Sequence, residues 1–458
     1  MSAAAWPDGL LLAYYGDDFT GSTDSMEAMT AAGVPTVLFL APPGPDALAR
    51  FPEARCVGVA GSSRGRSPEW MDAELPRAFA ALARLGAPIL HYKVCSTFDS
   101  SPTIGSIGRA IEIGVGQMSG RWSPTIVGVP RLRRYQAFGN LFAAVDGVAY
   151  RIDRHPTMSR HPVTPMGEAD LRRHLAAQTP LRIELVDLVQ LGQGVGAQRV
   201  QTLLADDTPV VMIDVLDDAT LRAAGRLVWE QRGAGVFSAS SSGLPYALAA
   251  HWRDEGLLPS EPSLPAAAPV DRIAVVSGSC SPVTAAQIGW AHAHGFATER
   301  LQLQRALDAR TRDDEIDRVA RASIDALSGG RSALVFSAEG PNDPCVVGFS
   351  GIAREAGLDR PEAARHVGAA LAEVMRRLLD RVDLDRVVVA GGDSSGEVAG
   401  ALDIDALTVV AGLAPGAPLC RTWSKIARRD GIEIVLKGGQ MGDESFFGLV
   451  RDGGQARQ

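Results

Sequence analysis

Short runs of apolar residues alternate with longer stretches of helical periodicity along the N-terminal part of the chain. Five runs predict β-strands, at Leu10–Tyr15, Thr36–Leu40, Arg55–Ala60, Ile89–Lys93 and Thr125–Val129. The stretches between them predict helices at Thr23–Gly33, which stops at a glycine, and at Ser67–Gly86, which starts with Ser-Pro. This β-α-β order predicts a mostly parallel sheet covered by helices.

The same alternation restarts in the second half of the chain, after a stretch rich in proline and small residues. That stretch, residues 254–269, reads DEGLLPSEPSLPAAAP and predicts a linker. Further elements are predicted at Arg272–Ser277, Thr284–Gly295, Ser332–Ser337, Pro361–Val382, Arg386–Ala390 and Ile432–Leu436. We therefore predict an α/β protein of two domains, residues 1–253 and 270–458, each with a mostly parallel sheet flanked by helices.

Length and charge narrow the class of protein. The 458 residues suit two domains of about 200 residues each. The net charge of −8 argues against a nucleic-acid-binding protein, because such proteins usually present a basic face. It does not argue against an anionic small-molecule ligand, since a few local cations are enough to bind one.

Cysteine usage and the N-terminus favour a reducing, cytoplasmic setting. The five cysteines have long spacings and form no CxxC, which disfavours a disulfide framework or a zinc site. No basic segment precedes the first apolar run, so we interpret that run as a strand and not as a signal peptide. No run of about 18 apolar residues occurs, so we expect no membrane span.

Acidic residues follow the first predicted strand, at a place where open α/β sheets bind ligands. Gly16 is followed by a polar run with three aspartates, Asp17, Asp18 and Asp24. A single such residue is enough to cap a helix, so the run favours a ligand site over capping alone. Carboxylates in this position are suited to accept hydrogen bonds from a polyol or to act as a general base.

Cationic side chains follow two further strands of the same half. Ser63 and Arg64 come after the third strand, and arginine suits a carboxylate because its planar fork binds two oxygens. Lys93 ends the fourth strand and is followed by the hydroxyls of Ser96 and Thr97, a combination suited to hold an anion. Solvated loop side chains are the alternative interpretation at both places.

Glycine- and serine-rich loops follow three predicted strands of the second half. Glycine lets backbone N–H groups approach phosphate oxygens closely, so the loops together predict a phosphate or nucleotide site. A tight turn is the alternative for any one of them. No GxxxxGK[ST] occurs, so the site is not a P-loop. The candidate residues are Ser279, Ser281, Gly391, Gly392, Asp393, Ser394, Gly438, Gly439 and Gln440.

These motifs, taken in order along the chain, resemble the four-carbon acid sugar kinase family. YYGDDFTGSTDSMEAM resembles its opening strand and ADDxTGA, and Ser63-Arg64 resembles its SR pair. KVCSTFDSSPTIGSIG stands where the family has KxDSTxRG, and VGVPRLRRYQAFG is similar to its PxxGRxxxxG segment. HPTMSRHPVTPMGEADLRRHLAAQT resembles its acidic-substrate loop and the helix after it. VVSGSCSPVTAAQI, VVAGGDSSGEVAGAL and VLKGGQMGDESFF resemble its nucleotide-domain motifs.

The resemblance implies a kinase that transfers the γ-phosphoryl group of ATP to a hydroxyl of a tetronate, an oxo-tetronate or a related acid. It implies an acid-sugar-binding first domain, a nucleotide-binding second domain and an active site in the cleft between them. We expect Mg²⁺ with the ATP, because polyphosphate charge needs it. We also expect a homodimer that binds neither nucleic acid nor membrane.

The resemblance also implies roles for the polar residues after the strands. Asp17, Asp18, Ser63, Arg64 and Lys93 would bind the acid sugar, and the glycine loops would bind the nucleotide. We predict that Arg64 and Lys93 pair with the substrate carboxylate. Asp18 is our predicted base for the attacking hydroxyl, with Asp17 as the alternative.

Two loops depart from the family pattern and bear on the substrate. KVCSTFDSSP lacks the acid before its Ser-Thr pair and the arginine after it, and RLRRYQAFG replaces the usual glycine-arginine pair. These departures resemble the branch that phosphorylates 3-oxo-isoapionate, a branched acid, with a 3-oxo-tetronate or tetronate as the alternative substrate. A sugar-acid binding protein without catalysis is a second alternative, and the lack of GxGxxG disfavours a dehydrogenase.

Overall fold

The computed structural model describes residues 7–145, 147–204, 207–260 and 264–454, except for the side chain of Asp393. The chain divides into two compact units between Ser263 and Leu264. The predicted linker, residues 254–269, spans this division, and its residues 261–263 lie outside the described residues. Within the described ranges, no helix has both the length and the apolar composition that crossing a membrane requires.

The main sheet of the first unit is parallel. Its strands are β1 (Leu12–Gly16), β2 (Thr36–Phe39), β3 (Cys56–Ala60), β4 (Ile89–Lys93) and β11 (Val236–Ser240). They lie in the order β11-β4-β1-β3-β2. The helices that belong with them are α1 (Phe19–Ala31), α2 (Pro45–Leu48), α3 (Pro68–Ala83), α4 (Ile107–Val115), α8 (Asp218–Glu230) and α9 (Gly243–Asp254).

Two smaller sheets complete the first unit. Strands β5 (Ser123–Ile126), β9 (Ile183–Val186) and β10 (Val210–Ile213) form a parallel sheet in the order β5-β10-β9. Strands β6 (Arg134–Ala137), β7 (Asn140–Val145) and β8 (Val148–Arg151) form an antiparallel meander. Short helices α5 (Leu171–Ala176), α6 (Leu188–Gly192) and α7 (Gly196–Leu203) connect these strands.

Helix α3 illustrates how the apolar pattern builds the core of this unit. Its N-terminus is set by Ser67, whose hydroxyl accepts a hydrogen bond from the backbone N–H of Trp70, and by Pro68 at the first helical position. Leu75 and Phe79, four residues apart, lie on one face and are buried. The Phe79 ring packs edge-on against Tyr92 of β4, with centroids 5.8 Å apart.

The second unit is built on a mixed sheet. Its parallel strands are β12 (Ala274–Ser277), β13 (Ala297–Arg300), β14 (Ala333–Phe336), β15 (Arg386–Ala390) and β18 (Glu433–Lys437). A long hairpin, β16 (Ile404–Ala414) and β17 (Ala417–Ser424), adds antiparallel pairing on the β18 side. The order is β16-β17-β18-β15-β12-β14-β13.

Helices flank this sheet, and its central strand β15 is fully buried between its neighbours. The helices are α10 (Pro282–Ala293), α11 (Leu303–Leu307), α12 (Arg312–Ser328), α13 (Pro344–Val347), α14 (Phe349–Glu355), α15 (Arg360–Arg381), α16 (Gly392–Ala401) and α17 (Phe446–Arg451). Every residue of β15 is buried, as expected for a central parallel strand. The predicted fold class, two α/β domains with mostly parallel sheets, is confirmed.

Candidate active site

The carboxyl ends of β1, β3 and β4 bring the first group of predicted residues together. These strands are neighbours in one parallel sheet, so the residues that follow them meet at one edge. The backbone N–H of Asp17 donates to the Lys93 carbonyl at 2.9 Å, and the N–H of Arg64 donates to the Asp17 carbonyl at 3.0 Å. The three loops therefore form one connected surface.

Arg64 binds both adjacent aspartates. Its Nε and Nη2 donate to the two carboxylate oxygens of Asp17 at 3.1 and 2.8 Å. Its Nη1 donates to Oδ2 of Asp18 at 2.6 Å. The bidentate pair fixes the plane of the guanidinium, which is the strong form of an arginine–carboxylate contact.

Asp18 has a second role, as the N-cap of α1. Its Oδ1 accepts a hydrogen bond from the backbone N–H of Gly21 at 2.6 Å. Because of this cap, α1 begins at Phe19 and not at the predicted Thr23. The polar run after β1 therefore lies in the first turns of a helix, and capping operates together with the contact to Arg64.

Burial and neighbouring charges shift the pKa values of Asp17 and Arg64. Burial raises the pKa of Asp17 to about 6, although the charge of Arg64 opposes the rise. Burial alone would lower the pKa of Arg64, but the Asp17 and Asp18 carboxylates outweigh it and raise that pKa. The Asp17 side chain is only 6% exposed, whereas that of Asp18 is 29% exposed. Asp18 is thus the more accessible of the two.

Lys93 and Ser63 are also held by neighbouring side chains. The buried ammonium group of Lys93 lies 3.6 Å from Oδ2 of Asp24. A β-carbon on Gly21 would lie 3.0 Å from Lys93 Nζ, so the glycine lets α1 approach this cation. The Ser63 hydroxyl is buried against the Tyr92 hydroxyl, at 2.8 Å.

The loop after β4 contributes an acid that sequence reasoning missed. The Thr97 hydroxyl donates to Oδ1 of Asp99, and the Thr164 hydroxyl donates to Oδ2 at 3.2 Å. Burial would raise the pKa of Asp99, but the charge of Arg64 and the hydrogen bonds from Thr97 and Thr164 hold it below its ordinary value. Ser96 lies half-buried in the same loop. In the sequence, only the position of Asp99 just after the Ser-Thr pair pointed to it. The contact that holds its carboxylate comes from Thr164, 65 residues further along the chain, and could not be predicted.

The glycine loops of the second unit also meet at one sheet edge, after β12, β15 and β18. The N–H of Gly278 donates to the Ala390 carbonyl at 3.0 Å, and the N–H of Gly391 donates to the Lys437 carbonyl at 2.9 Å. Gly391 has a φ of 125°. A β-carbon there would lie 3.2 Å from the Ser394 hydroxyl and 3.3 Å from the Ser279 nitrogen, so the position needs glycine.

The Gly439 carbonyl is held by two hydroxyls from the start of α10. Ser281 and Thr284 both donate to it, Thr284 at 2.9 Å. Because the peptide plane sets C=O and N–H in opposite directions, the N–H of Gln440 points away from these hydroxyls. The loop therefore presents a backbone donor on its outer side, as an anion site requires.

Lys437, the last residue of β18, is a buried cation beneath this loop that was missed at the sequence level. Its Nζ donates to the Thr284 hydroxyl at 3.3 Å and lies 5.8 Å from the centre of the Phe446 ring. Burial lowers its pKa to about 8. No carboxylate pairs with it among the described side chains. A buried lysine in this state is suited to an anionic ligand.

The remaining candidates of this unit lie around the same edge. Ser279 accepts from the N–H of Ser281 at 3.3 Å, and Ser394 lies next to Gly278. Gly392 begins α16, Gly438 is half-buried and Gln440 is exposed. The side chain of Asp393 lies outside the described residues. Throughout the described ranges, no three His, Cys, Asp or Glu side chains are arranged to hold a metal ion by themselves.

Comparison with known proteins decides the family. Residues 12–248 match the model of a sugar-binding N-terminal domain, and residues 274–447 match that of a nucleotide-binding C-terminal domain. A 3-oxo-isoapionate kinase of Paraburkholderia graminis is 72% identical over 452 residues, covering 99% of this chain and 96% of that protein. The chain belongs to the four-carbon acid sugar kinase family. The resemblance predicted from the motifs is confirmed.

More distant members of the family and solved structures agree with this assignment. A 3-oxo-tetronate kinase of Methylobacterium radiotolerans is 29% identical, covering 97% of this chain and 99% of that protein. One of Pseudomonas fluorescens is 30% identical, covering 97% and 98%. The crystal structure of a Haemophilus influenzae protein matches with a TM-score of 0.71 at 22% identity, covering 97% of this chain and 100% of that one. At that identity the structure supports the fold alone.

Proposed function

We propose that this family member is an ATP-dependent kinase that phosphorylates a hydroxyl of 3-oxo-isoapionate. The observation that carries the proposal is the 72% identity to a 3-oxo-isoapionate kinase, against 29% to the 3-oxo-tetronate kinase of Methylobacterium radiotolerans. The family model for the first unit supports a sugar ligand, and that for the second unit supports a nucleotide. The departures from the family pattern at Cys95 and Asp99 are in keeping with a substrate that is not a linear tetronate.

In the proposed reaction, the acceptor oxygen attacks the γ-phosphorus of ATP. A new O–P bond forms, the bond between the γ-phosphorus and the bridging oxygen of ADP breaks, and ADP leaves. The acceptor hydroxyl proton passes to a carboxylate, for which we propose Asp18 because its side chain is the more exposed of the pair. Asp17, which is buried against Arg64, would hold that guanidinium in place.

The nucleotide phosphates would bind at the glycine loops of the second unit. Donors there are backbone N–H groups after β15 and β18 and the hydroxyls of Ser279 and Ser394. Lys437 would place a positive charge beneath the loop. Phosphoryl transfer depends mainly on such positioning and charge neutralisation.

We propose that Mg²⁺ arrives bound to ATP. Phosphate oxygens and water supply most of the ligands of such an ion, so one or two protein carboxylates are sufficient. The absence of a three-residue metal cluster in the described part of the chain fits this arrangement. The ion would neutralise charge on the terminal phosphates.

The assembly of this protein as a homodimer remains a prediction.

A coupled assay of ADP release with Mg-ATP tests the proposal against a panel of acids. The panel contains 3-oxo-isoapionate, the 3-oxo forms of erythronate and threonate, and D-erythronate and L-threonate. We expect the highest kcat/KM for the branched acid. A higher value for a linear oxo acid would keep the kinase and overturn the substrate. No ADP release with any acid, together with no ATP binding, would favour a sugar-acid binding protein.

A further inference from the structure

The substrate of the proposed reaction carries a carboxylate, and both cations predicted to receive it already hold acids. Arg64 donates through three nitrogens to Asp17 and Asp18. Lys93 lies 3.6 Å from the carboxylate of Asp24. Two cations against three aspartates leave this cluster with a net negative charge when all are ionised. An anionic group is better received by a cation that has no acid partner.

Arg134, at the start of β6, is such a cation as far as the described residues go. Its Nη1 donates only to backbone carbonyls, those of Leu132 at 3.0 Å and of Arg133 and Ala144 at 3.3 Å. Its Nε is buried and has no hydrogen-bond partner among the described residues. Burial lowers the pKa of Arg134, which reflects the lack of a compensating carboxylate. A buried donor without a partner is costly unless a ligand satisfies it.

The strand register places Arg134 on the same face of the meander as Tyr150, whose ring contacts His155. Arg134 pairs with Ala143, and Ala143 pairs with Tyr150, so these three side chains lie on one face of the meander. The small side chain of Ala143 leaves space between its two larger neighbours. The Tyr150 ring packs edge-on against His155, with centroids 6.2 Å apart.

His155 is fixed as a neutral donor by its own turn. Its Nδ1 accepts hydrogen bonds from the N–H groups of Thr157 and Met158, both at 3.2 Å. A ring nitrogen that accepts carries no proton, so the proton of the neutral ring is on Nε2. Burial lowers the pKa of His155, and the nearby charge of Arg134 lowers it further. Arg134 and His155 thus present N–H groups in one region.

This region adjoins the loop after β4. The Met158 carbonyl, in the turn that fixes His155, accepts a hydrogen bond from the Met166 N–H at 2.9 Å. Thr164, in the same segment, donates to the Asp99 carboxylate at 3.2 Å. The segment that fixes His155 therefore lies against the loop after β4, and that strand ends at the same sheet edge as the aspartate cluster.

We infer that Arg134 is the receptor for the substrate carboxylate, with the Nε2–H of His155 as a second donor, and that Arg64 serves instead to orient Asp17 and Asp18. The inference rests on the proposed function, because it requires an acid substrate. It assigns a binding role to a residue that the sequence-level prediction did not include.

The test compares the substrate acid with its carboxamide in the wild type and in variants at Arg134. The amide has the same size but no charge, so a carboxylate receptor distinguishes the two. In Arg134→Gln we expect kcat/KM for the acid to fall about 100-fold and that for the amide about 3-fold or less. Arg134→Lys keeps the charge but loses the fork, and should recover about 10-fold of the loss.

Control variants separate this role from structural damage. Arg226→Gln makes the same change at an arginine of α8 that is 66% exposed and should leave both substrates unaffected. Melting temperature and Mg-ATP affinity should be unchanged in Arg134→Lys, which keeps the assay informative if Arg134→Gln folds poorly. Arg64→Gln should impair acid and amide by the same factor. A selective loss of the acid in Arg64→Gln, or equal losses in Arg134→Gln, would overturn the assignment.

Calorimetry of acid binding to the full-length protein makes the outcome independent of turnover. If the wild type binds the acid but transfers no phosphate to it, the proposed reaction is wrong. The Arg134 assignment then still predicts that Arg134→Gln weakens acid binding about 100-fold. Unchanged acid binding in Arg134→Gln would overturn the assignment while leaving the kinase proposal in place.

Discussion

At the scale of single residues, Asp17 couples the active site to pH. Its pKa is raised from 3.8 to about 6 by burial, with Arg64 opposing the rise. Above pH 6 the carboxylate is ionised and holds the Arg64 fork, and protonation below pH 6 weakens that hold. We expect kcat/KM of the wild type to fall as the pH is lowered through about 6. Asp17→Asn should have low activity at every pH and should not show this decrease below pH 6. A pH–rate profile of both proteins measures this.

The stability of the folded protein should also depend on the protonation of Asp17, but its pH dependence should run opposite to that of the activity. Since the pKa of Asp17 is raised on folding, the folded state binds this proton more tightly than the unfolded state between pH 3.8 and about 6. The contribution of Asp17 to stability is therefore present at low pH and lost as the pH rises through about 6. A loss of activity below pH 6 that merely followed a fall in melting temperature would contradict the proposed role.

Asp18→Asn separates catalysis from binding. Asparagine keeps the side-chain oxygen that caps α1 but cannot accept the proton of the attacking hydroxyl. We expect kcat to fall about 10²- to 10⁴-fold, with the KM for the acid and the affinity for Mg-ATP changed only a few-fold. The control is Asp46→Asn, at an exposed position in α2. A near-normal kcat in Asp18→Asn would exclude Asp18 as the base.

Lys437 should make nucleotide affinity depend on pH at the alkaline end. Burial lowers its pKa to about 8, and bound phosphates would stabilise the charged form and raise that pKa. ATP affinity should therefore decrease as the pH rises through about 8. Lys437→Met should weaken Mg-ATP binding about 10- to 100-fold and flatten this dependence. Exposed Lys425→Met is the matched control. Equal pH dependence in Lys437→Met and wild type would argue against a phosphate contact.

At the scale of elements, helix α16 offers a matched pair of glycines. Gly391 precedes the helix with a φ of 125°, and a side chain there would be strained whatever the space. Gly400 lies near the end of the helix with no atom within 4 Å of an added β-carbon. Gly391→Ala should lose about 1–3 kcal/mol of stability and bind Mg-ATP weakly. Gly400→Ala should be neutral or more stable by up to about 1 kcal/mol. Chemical denaturation and nucleotide titration compare them, and equal effects would contradict the role of the Gly391 conformation.

Sequence patterns predicted elements best where one signal dominates. Strands Ile89–Lys93 and Arg386–Ala390 have the predicted bounds, because each is a run of buried residues in a parallel sheet. The predicted start of α1 was too late, because Gly21 and two threonines in its first turns are residues that disfavour a helix. The Asp18 cap compensates for them, so the helix begins at Phe19. The β16–β17 hairpin was not predicted, since its register shifts interrupt the alternation of apolar and polar residues.

The candidate site was predictable as far as strand ends reveal it. Asp17, Arg64 and Lys93 each follow or end a strand, so topology alone brings them to one edge. Which cation would hold which acid depends on contacts between distant residues and was not predictable. The Lys437–Thr284 bond, for example, spans 153 residues. Arg134 stands at the arginine of the PxxGRxxxxG pattern that VGVPRLRRYQAFG resembles. Its lack of an acid partner, however, is visible only in the structure.

At the scale of the whole molecule, the proposal assigns each ligand to a different unit of the chain. Residues 12–248 match a sugar-binding model and residues 274–447 a nucleotide-binding model. Hydrogen–deuterium exchange of the full-length protein tests this assignment. Mg-ATP alone should slow exchange about 10-fold or more in the loops at 278–281, 391–395 and 438–440, because bound phosphates shield backbone N–H groups there. The acid alone should slow exchange at 16–24, 61–66 and 93–101.

Each ligand serves as the control for the other in this experiment. The two sets of loops follow strands of different units, so ligand binding to one unit should leave the other set nearly unchanged. If Mg-ATP alone protected residues 61–66 as strongly as residues 438–440, the nucleotide would also contact the Arg64 loop. The assignment of one ligand to each unit would then be wrong, and Arg64 would have to be considered a partner of the phosphates.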